Sequence, residues 1–427
     1  MLREFKFFVI GLATASAIFI FIIYTTHLEN PSLQRHPYEQ QVHIQRILSS
    51  HDHGMHERSV NYNGEDILKR KNPSMSLSCN KQENIAFIKP HKTGGTTLAS
   101  IINRFGYDHL SSFVISRFNR RNGHLRQLPI KSDSPGKLFL PPTGVKDGRW
   151  RNYRYNMIAV HLIYNETAMK SFMMPDTKYI TILREPVSQF ESFFYYMQLG
   201  RSVVKTGKQA NLTALEAFFE KPDFYLPKLI NDRDKDARNN QFYYLGLDPK
   251  LFDDERAIND TIRKIDRDFS LVLITDYFDE SLLLMKKLFC WDMEDILYIT
   301  KNQRSSRNVV PAKVAEKIHK WNRADVLLYD YFNRTLWRKI KEYGPEFDRD
   351  LAEFRRHLET VFDECVDKRS IQKSIVENKT KRTKIVFDAK KHSSYFCERV
   401  TLSHLKMHNM IWSRQYPWNQ RYIRKEN

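Results

Sequence analysis

The sequence predicts an α/β fold, a P-loop-like parallel sheet flanked by helices, preceded by an N-terminal transmembrane helix. Three observations predict it. Short apolar runs recur along the chain with helical patterns between them, as in a buried parallel sheet. The first such run enters a glycine and threonine loop and then a helix, "FIKPHKTGGTTLASIINRFG", residues 87–106. Finally, Phe7 to Tyr24 form an eighteen-residue apolar run without a charge, at the short end of what spans a bilayer.

Arg3 and Lys6 precede that run, and no lysine or arginine follows it before Arg35. The positive-inside rule then places residues 1–6 in the cytosol, 7–24 in the membrane as a signal-anchor, and the remainder across it. A cleaved signal peptide has the same polarity, but the apolar run continues past the "ATASA" that would serve as its cleavage site. Residues 25–80 are polar, have no sustained period and read as a stem. Its His51, His53 and His56 invite a metal reading, yet no framework there would fix the ligands.

The ordered domain is expected over 81–366, with a basic extension over 367–427. "NIAFIKP" reads as a strand, and "TLASIINRF" as a helix with Leu98, Ile101, Ile102 and Phe105 on one face. Between Arg117 and Arg151 a stretch rich in Pro, Gly and Arg reads as an insertion loop near the site. "YNMIAVHLIY", "KYITILREP" and "FSLVLITDYF" supply three further strands, the last followed by an amphipathic helix through "DESLLLMKKLFCW". Phe347, Leu351, Phe354, Leu358, Val361 and Phe362 mark a late helix that packs on the domain, too short for a coiled coil.

The net charge of +19 is high, and "KTKRTK" and "AKKH" concentrate lysine and arginine in the tail. A solvated basic surface accounts for most of this, and its field would help collect a polyanion. No base-reading motif accompanies it, so nucleic acid is not the expected partner. Four cysteines (Cys79, Cys290, Cys365 and Cys397) allow two disulfides in any of three pairings, and the absence of a CxxC pair argues against thiolate zinc. Asn-X-Ser/Thr triplets at Asn165, Asn211, Asn259, Asn333 and Asn378 agree with a lumenal domain.

A strand, a glycine loop and a helix place backbone N–H groups and a helix N-terminus around an anion. In the nucleotide-hydrolysing P-loop, lysine follows the glycines; here Lys92 precedes Gly94 and Gly95. A kinase-like enzyme would also need magnesium ligands, and no such acidic motif is evident. In "YITILREPVSQFESFFYYM", Arg184 ends a strand, and Ser192 follows eight residues later on the next helix. Such a pair can grip a phosphate, although an Arg184–Glu185 surface pair is the better explanation of the arginine when it is taken alone.

These two elements resemble the donor-binding elements of sulfotransferases that use 3′-phosphoadenosine 5′-phosphosulfate. "FIKPHKTGGTTL", "ITILREPVSQFES", "YYLGLD", "LVLITDYFDESLLLMKKLFCW", "DILYITKNQRS" and "WNRADVLLYDYFNRTLW" resemble, in order, segments of the galactose-3-O-sulfotransferase family, which includes galactosylceramide sulfotransferase. The resemblance runs from about Ile85 to Lys341. It implies a sulfotransferase fold in a type II Golgi membrane protein with a lumenal catalytic domain. The implied reaction moves the sulfuryl group to the 3-OH of a β-galactose on a glycolipid or glycoprotein, without a metal. A uronic acid or N-acetylgalactosamine acceptor is the alternative, followed by a non-catalytic glycan binder.

The same resemblance assigns roles. Lys92 would touch the phosphosulfate and its bridging oxygen. The amides of Thr93, Gly94, Gly95, Thr96 and Thr97, with the hydroxyls of Thr96 and Thr97, would surround the phosphate. Arg184 and Ser192 would hold the 3′-phosphate. A general base is needed within reach of the acceptor hydroxyl; His91 ranks ahead of His161, with Glu191 third. Pro90, Val160 and Ile163 depart from the family's usual residues, the last two in the segment expected to line the sugar pocket. Asp276 and Glu280 are expected to cap a helix, while Lys301 and Arg304 would reach the donor or remain surface charges.

Overall fold

The computed structural model describes residues 79–116, 139–143, 145, 154–204, 213–229, 236–300, 309–375 and 383–417. The expected anchor at 7–24, the stem histidines and all but the last two residues of the stem lie outside these residues. So do Asn211, Asn378, Lys301, Arg304 and most of the 117–151 insertion. Among the described residues no helix is long and apolar enough to cross a membrane.

The four predicted strands are present as β1 (Ile85–Ile88), β2 (Met157–Val160), β3 (Lys178–Leu183) and β4 (Leu271–Ile274). They form one parallel sheet in the order β2-β1-β3-β4. Nearly every residue in them is buried, so they read as unbroken apolar runs rather than as alternating ones. The chain leaves β1 for a neighbour on one side and then returns to its other side. That reversal opens a crevice beyond the carboxyl end of β1, the usual ligand position in open parallel sheets.

The flanking helices include α1 (Gly95–Asp108), α2 (Glu166–Phe172), α3 (Pro186–Tyr196), α4 (Ala214–Glu220) and α5 (Asn240–Tyr244). They are followed by α6 (Glu255–Asp268), α7 (Phe278–Phe289), α8 (Ala312–Trp321), α9 (Arg323–Tyr343) and α10 (Phe347–Cys365). Helix α10 buries Phe347, Leu351, Phe354, Leu358 and Val361, as its periodicity predicts, with Cys365 in the same stripe and Phe362 only partly covered. A satellite core gathers Phe190, Phe194, Phe218, Phe219 and Trp321 where α3, α4 and α8 meet. Their rings meet edge to face at 5.3–5.7 Å, for example Phe190 with Phe219 and Phe218 with Trp321, the arrangement aromatic quadrupoles favour. This fixes the rotation of α3 about its axis.

The basic tail holds more structure than its composition suggests. Helices α11 (Tyr395–Thr401) and α12 (His404–Gln415) pack against α1 and bury Val400, Met407 and Ile411 in the main core. Gln415 accepts from the Phe113 amide at 2.8 Å and donates to the Phe113 and Pro141 carbonyls at 2.8 and 2.9 Å. Arg399 pairs with Asp108, and Arg414 donates to the carbonyls of Tyr107 and Ser111. Two cations thus meet the C-terminal end of α1, where the helix dipole is negative. The cysteines pair as Cys79–Cys290 and Cys365–Cys397, with Cα atoms 5.8 and 4.8 Å apart; the second bond ties α10 to α11.

Candidate active site

The loop from Lys89 to Gly94 turns at the carboxyl end of β1 with two residues in the left-handed region, Lys92 at φ 64° and Gly94 at φ 76°. Glycine suits such a φ at no steric cost, whereas a lysine there is strained. Arg184 donates from Nη1 to the Lys92 carbonyl at 3.2 Å and so braces the strained residue. Gly94 is the N-cap of α1, and neither a side-chain cap nor an acidic residue serves the first turn. The positive end of this helix is therefore left without a side-chain cap or counter-charge, as suits an anion site, with the Thr97 amide turned back to the Gly94 carbonyl at 3.1 Å.

Close approach explains the second glycine. A Cβ on Gly95 would lie 2.9 Å from Cγ and 3.2 Å from Cε of Lys89, and 3.3 Å from the Phe87 ring. Thr275, just after β4, has its hydroxyl 2.6 Å from the Thr93 carbonyl and 2.9 Å from the Leu183 carbonyl. The Thr181 hydroxyl donates to the Ile88 carbonyl at 2.9 Å. The loop is thereby tied to the ends of β3 and β4. Thr93 is fully buried and its hydroxyl reaches the Pro90 carbonyl at 3.3 Å, so only its backbone serves the loop. Thr96 is half-buried and Thr97 buried in the first turn of α1.

Helix α3 supplies the opposite wall. Glu185 accepts from the amides of Val187 and Ser188 at 2.8 and 2.7 Å, and Pro186 occupies the first turn; the carboxylate that could pair with Arg184 is thus engaged as a cap. Gln189 donates to the His91 carbonyl at 2.8 Å, the Phe193 ring lies 5.8 Å from the His91 ring, and the Lys92 ammonium sits 4.0 Å over the Tyr196 ring. These positions at i, i+4 and i+7 define one stripe facing the loop. Ser192, at i+3 and buried, belongs to it, so Arg184 and Ser192 both border the loop. Glu191 is buried on the same helix.

The two candidate histidines are together. His91 and His161 stack with ring centroids 4.0 Å apart, and Tyr244 meets His91 edge-on at 5.1 Å. The His161 Nδ1 lies 2.7 Å from the Lys89 carbonyl. A carbonyl oxygen only accepts, so Nδ1 carries the hydrogen, and a neutral His161 has its lone pair on Nε2. The His91 backbone is held at both ends, its amide donating to Asn240 Oδ1 at 3.2 Å and its carbonyl accepting from Gln189.

Behind this wall lies a buried polar network that sequence reasoning did not find. Gln241 exchanges hydrogen bonds with the Arg184 backbone at 2.8 and 2.9 Å. Asp325, on α9, accepts from the amides of Gln241 and Phe242 at 3.1 and 2.8 Å. Burial pushes its carboxyl up to about 7, partly opposed by those amides. "NNQ" at 239–241 was the available signal, since three consecutive amides in an apolar neighbourhood must be satisfied to be buried. Lys89 was missed as well; it is 5% exposed, and burial lowers its ammonium to about 8.

The expected caps differ. The residue at the N-cap of α7 is Tyr277, which provides no side-chain cap. Asp276 instead accepts from the Glu185 amide at 3.2 Å and the Tyr329 hydroxyl at 3.1 Å, joining the end of β4 to the start of α3. Glu280 lies in the first turn of α7, where its charge suits the dipole, and pairs with Arg355 at 3.0 Å. Among the described residues no group of three or more His, Cys, Asp or Glu side chains is placed to hold a metal ion.

A family model described as Galactose-3-O-sulfotransferase matches residues 59–393 and so spans the loop, both histidines and the Arg184–Ser192 segment. The chain belongs to the galactose-3-O-sulfotransferase family. It is 32% identical over 298 residues to the mouse galactosylceramide sulfotransferase, a match covering 68% of this chain and 65% of the mouse protein. The human galactosylceramide sulfotransferase is 33% identical over 293 residues, with the same coverage. Bovine galactose-3-O-sulfotransferase 3 is 30% identical over 312 residues, covering 71% of this chain and 68% of its own. The chain thus spans just under two thirds of the length of the galactosylceramide sulfotransferases it matches.

Proposed function

We propose that this chain is a sulfotransferase that moves the sulfuryl group of 3′-phosphoadenosine 5′-phosphosulfate to the 3-OH of a β-galactose on a glycolipid or glycoprotein. The observation that carries the reading is the uncapped N-terminus of α1 beside the Lys92 turn, with stacked histidines at its edge. The first turn of α1, which no side chain caps, and the Gly94–Gly95 backbone fit an anion that approaches the main chain. The donor, when bound, supplies an activated sulfuryl group on a phosphate leaving group.

The chain's own residues then have separable tasks. The loop amides and the hydroxyls of Thr96 and Thr97 bind the 5′-phosphate, and Arg184 with Ser192 holds the 3′-phosphate. His161 takes the acceptor's proton at Nε2 while the acceptor oxygen bonds to sulfur. The S–O bond to the bridging oxygen breaks, its electron pair stays on that oxygen, and Lys92 stabilises the charge there. The His161 Nδ1 contact with the Lys89 carbonyl supports taking His161 ahead of His91 as base, the reverse of the order expected from the sequence; His91 packs against its ring.

We place the catalytic domain in the Golgi lumen, anchored through residues 7–24. The two disulfides and the exposed sequons Asn165 and Asn259 support this. The test of function is product analysis across β-galactosides, N-acetylgalactosaminides and uronic-acid polymers. Sulfate on the galactose 3-OH supports the proposal, whereas sulfate only on the other sugars transfers it to the alternative acceptors. Sugar binding without transfer would make the chain a glycan binder.

A further inference from the structure

Lys89 occupies a position where an isolated cation is unfavourable. It follows β1 directly, and its stem crosses the first residue of α1, as the Gly95 contacts show. Its neighbours carry the same sign: the positive pole of α1 ahead of it, and Lys92 three residues on. Arg184 lies across the loop, bonded to the Lys92 carbonyl. The Lys89 side chain is more than nine-tenths buried and has no hydrogen bond or ion pair among the described residues. Burial alone lowers its ammonium, with no carboxylate acting to raise it.

A buried ammonium needs a counter-charge. The described residues provide none here, and the N-terminus of α1 beside it, which no side chain caps and no acidic residue serves, favours an anion as well. One anion at that terminus would satisfy both. We propose that Lys89 is a donor-contacting cation, whose ammonium meets the phosphate end of the phosphosulfate bound at the first turn of α1. Its carbonyl holds the His161 ring at 2.7 Å, so one residue joins donor charge on its side chain to base orientation on its backbone. Gly95 is then required because any larger residue would occupy the space of the Lys89 stem.

This rests on the donor reading above, and the experiment separates the two. Binding of adenosine 3′,5′-bisphosphate, which carries both phosphates and no sulfuryl group, is measured by calorimetry on the full-length chain in detergent at pH 7. Wild type is compared with Lys89→Met and Arg184→Ala, and thermal midpoints are recorded without nucleotide. Lys89→Met keeps the stem and removes the charge. It should weaken binding about 10- to 100-fold, the range for one lost charge-assisted hydrogen bond. It should also raise the nucleotide-free midpoint, because a desolvated charge has gone. A lysine needed only for the fold would lower that midpoint, and this result overturns the proposal. Unchanged affinity in Lys89→Met, beside a loss in Arg184→Ala, removes the Lys89 proposal and leaves the donor reading intact. A wild type that does not bind the nucleotide removes both.

Discussion

Replacing Gly94 with alanine isolates the geometry on which the anion loop depends. Gly94 has φ 76° and ψ 0°, and an L-residue in the left-handed region costs about 1–2 kcal/mol. The new Cβ would lie 3.2 Å from Thr275 Cγ2, closer than ordinary van der Waals contact. Thr275 cannot rotate away freely, because its hydroxyl is committed to the Thr93 and Leu183 carbonyls; losing such a bond costs about 1 kcal/mol. The sum, about 2–3 kcal/mol, corresponds in a domain of this size to a fall of about 3–4 °C in thermal midpoint, read by circular dichroism on the full-length chain. Thr275→Ser removes Cγ2 and keeps the hydroxyl, so Gly94→Ala in that background should recover the contact part and retain the strain. An alanine variant as stable as wild type would refute the positive φ at this position.

Two further outcomes follow from the site. His161→Asn should lower kcat by about 10²–10⁴-fold, the usual contribution of a general base, while nucleotide affinity measured by calorimetry stays near wild type; His91→Asn should fall less. If His91→Asn loses more than His161→Asn, the order of the two histidines is reversed. Asp325 binds its proton more tightly in the folded state, near 7, than its ordinary value of 3.8. Its contribution to stability is full below about pH 4 and is lost as pH rises towards and through 7. Asp325→Asn should flatten that part of the midpoint-against-pH curve.

The strands were legible because β1 to β4 are buried on both faces and carry no polar alternation to blur them. Helices α1, α7 and α10 were legible from three-and-four spacing, and the positions of Lys92 and Arg184 just beyond β1 and β3 from the apolar runs that precede them. What escaped depends on partners distant in sequence. Lys89 looks like any surface lysine until its stem is seen against Gly95. The Asn240–Gln241–Asp325 network joins segments about 84 residues apart, and neither half is informative alone. Arg399 and Arg414 added to an apparent surplus of charge because their partner, the C-terminal end of α1, is largely a helix dipole and a set of carbonyls that composition does not count. The cysteine pairing needed the same three-dimensional information.

The central claim is transfer from the phosphosulfate donor through the Lys92 loop. Its most direct test is the initial rate at which the full-length chain moves labelled sulfate from 3′-phosphoadenosine 5′-phosphosulfate to a β-galactoside, wild type beside Lys92→Ala. The account predicts label on the galactose 3-OH for wild type and a rate at least about 10²-fold lower for the variant, the scale for removing a charge-stabilising group from a transition state. Equal rates in the two proteins, or no label on any galactoside, would contradict it.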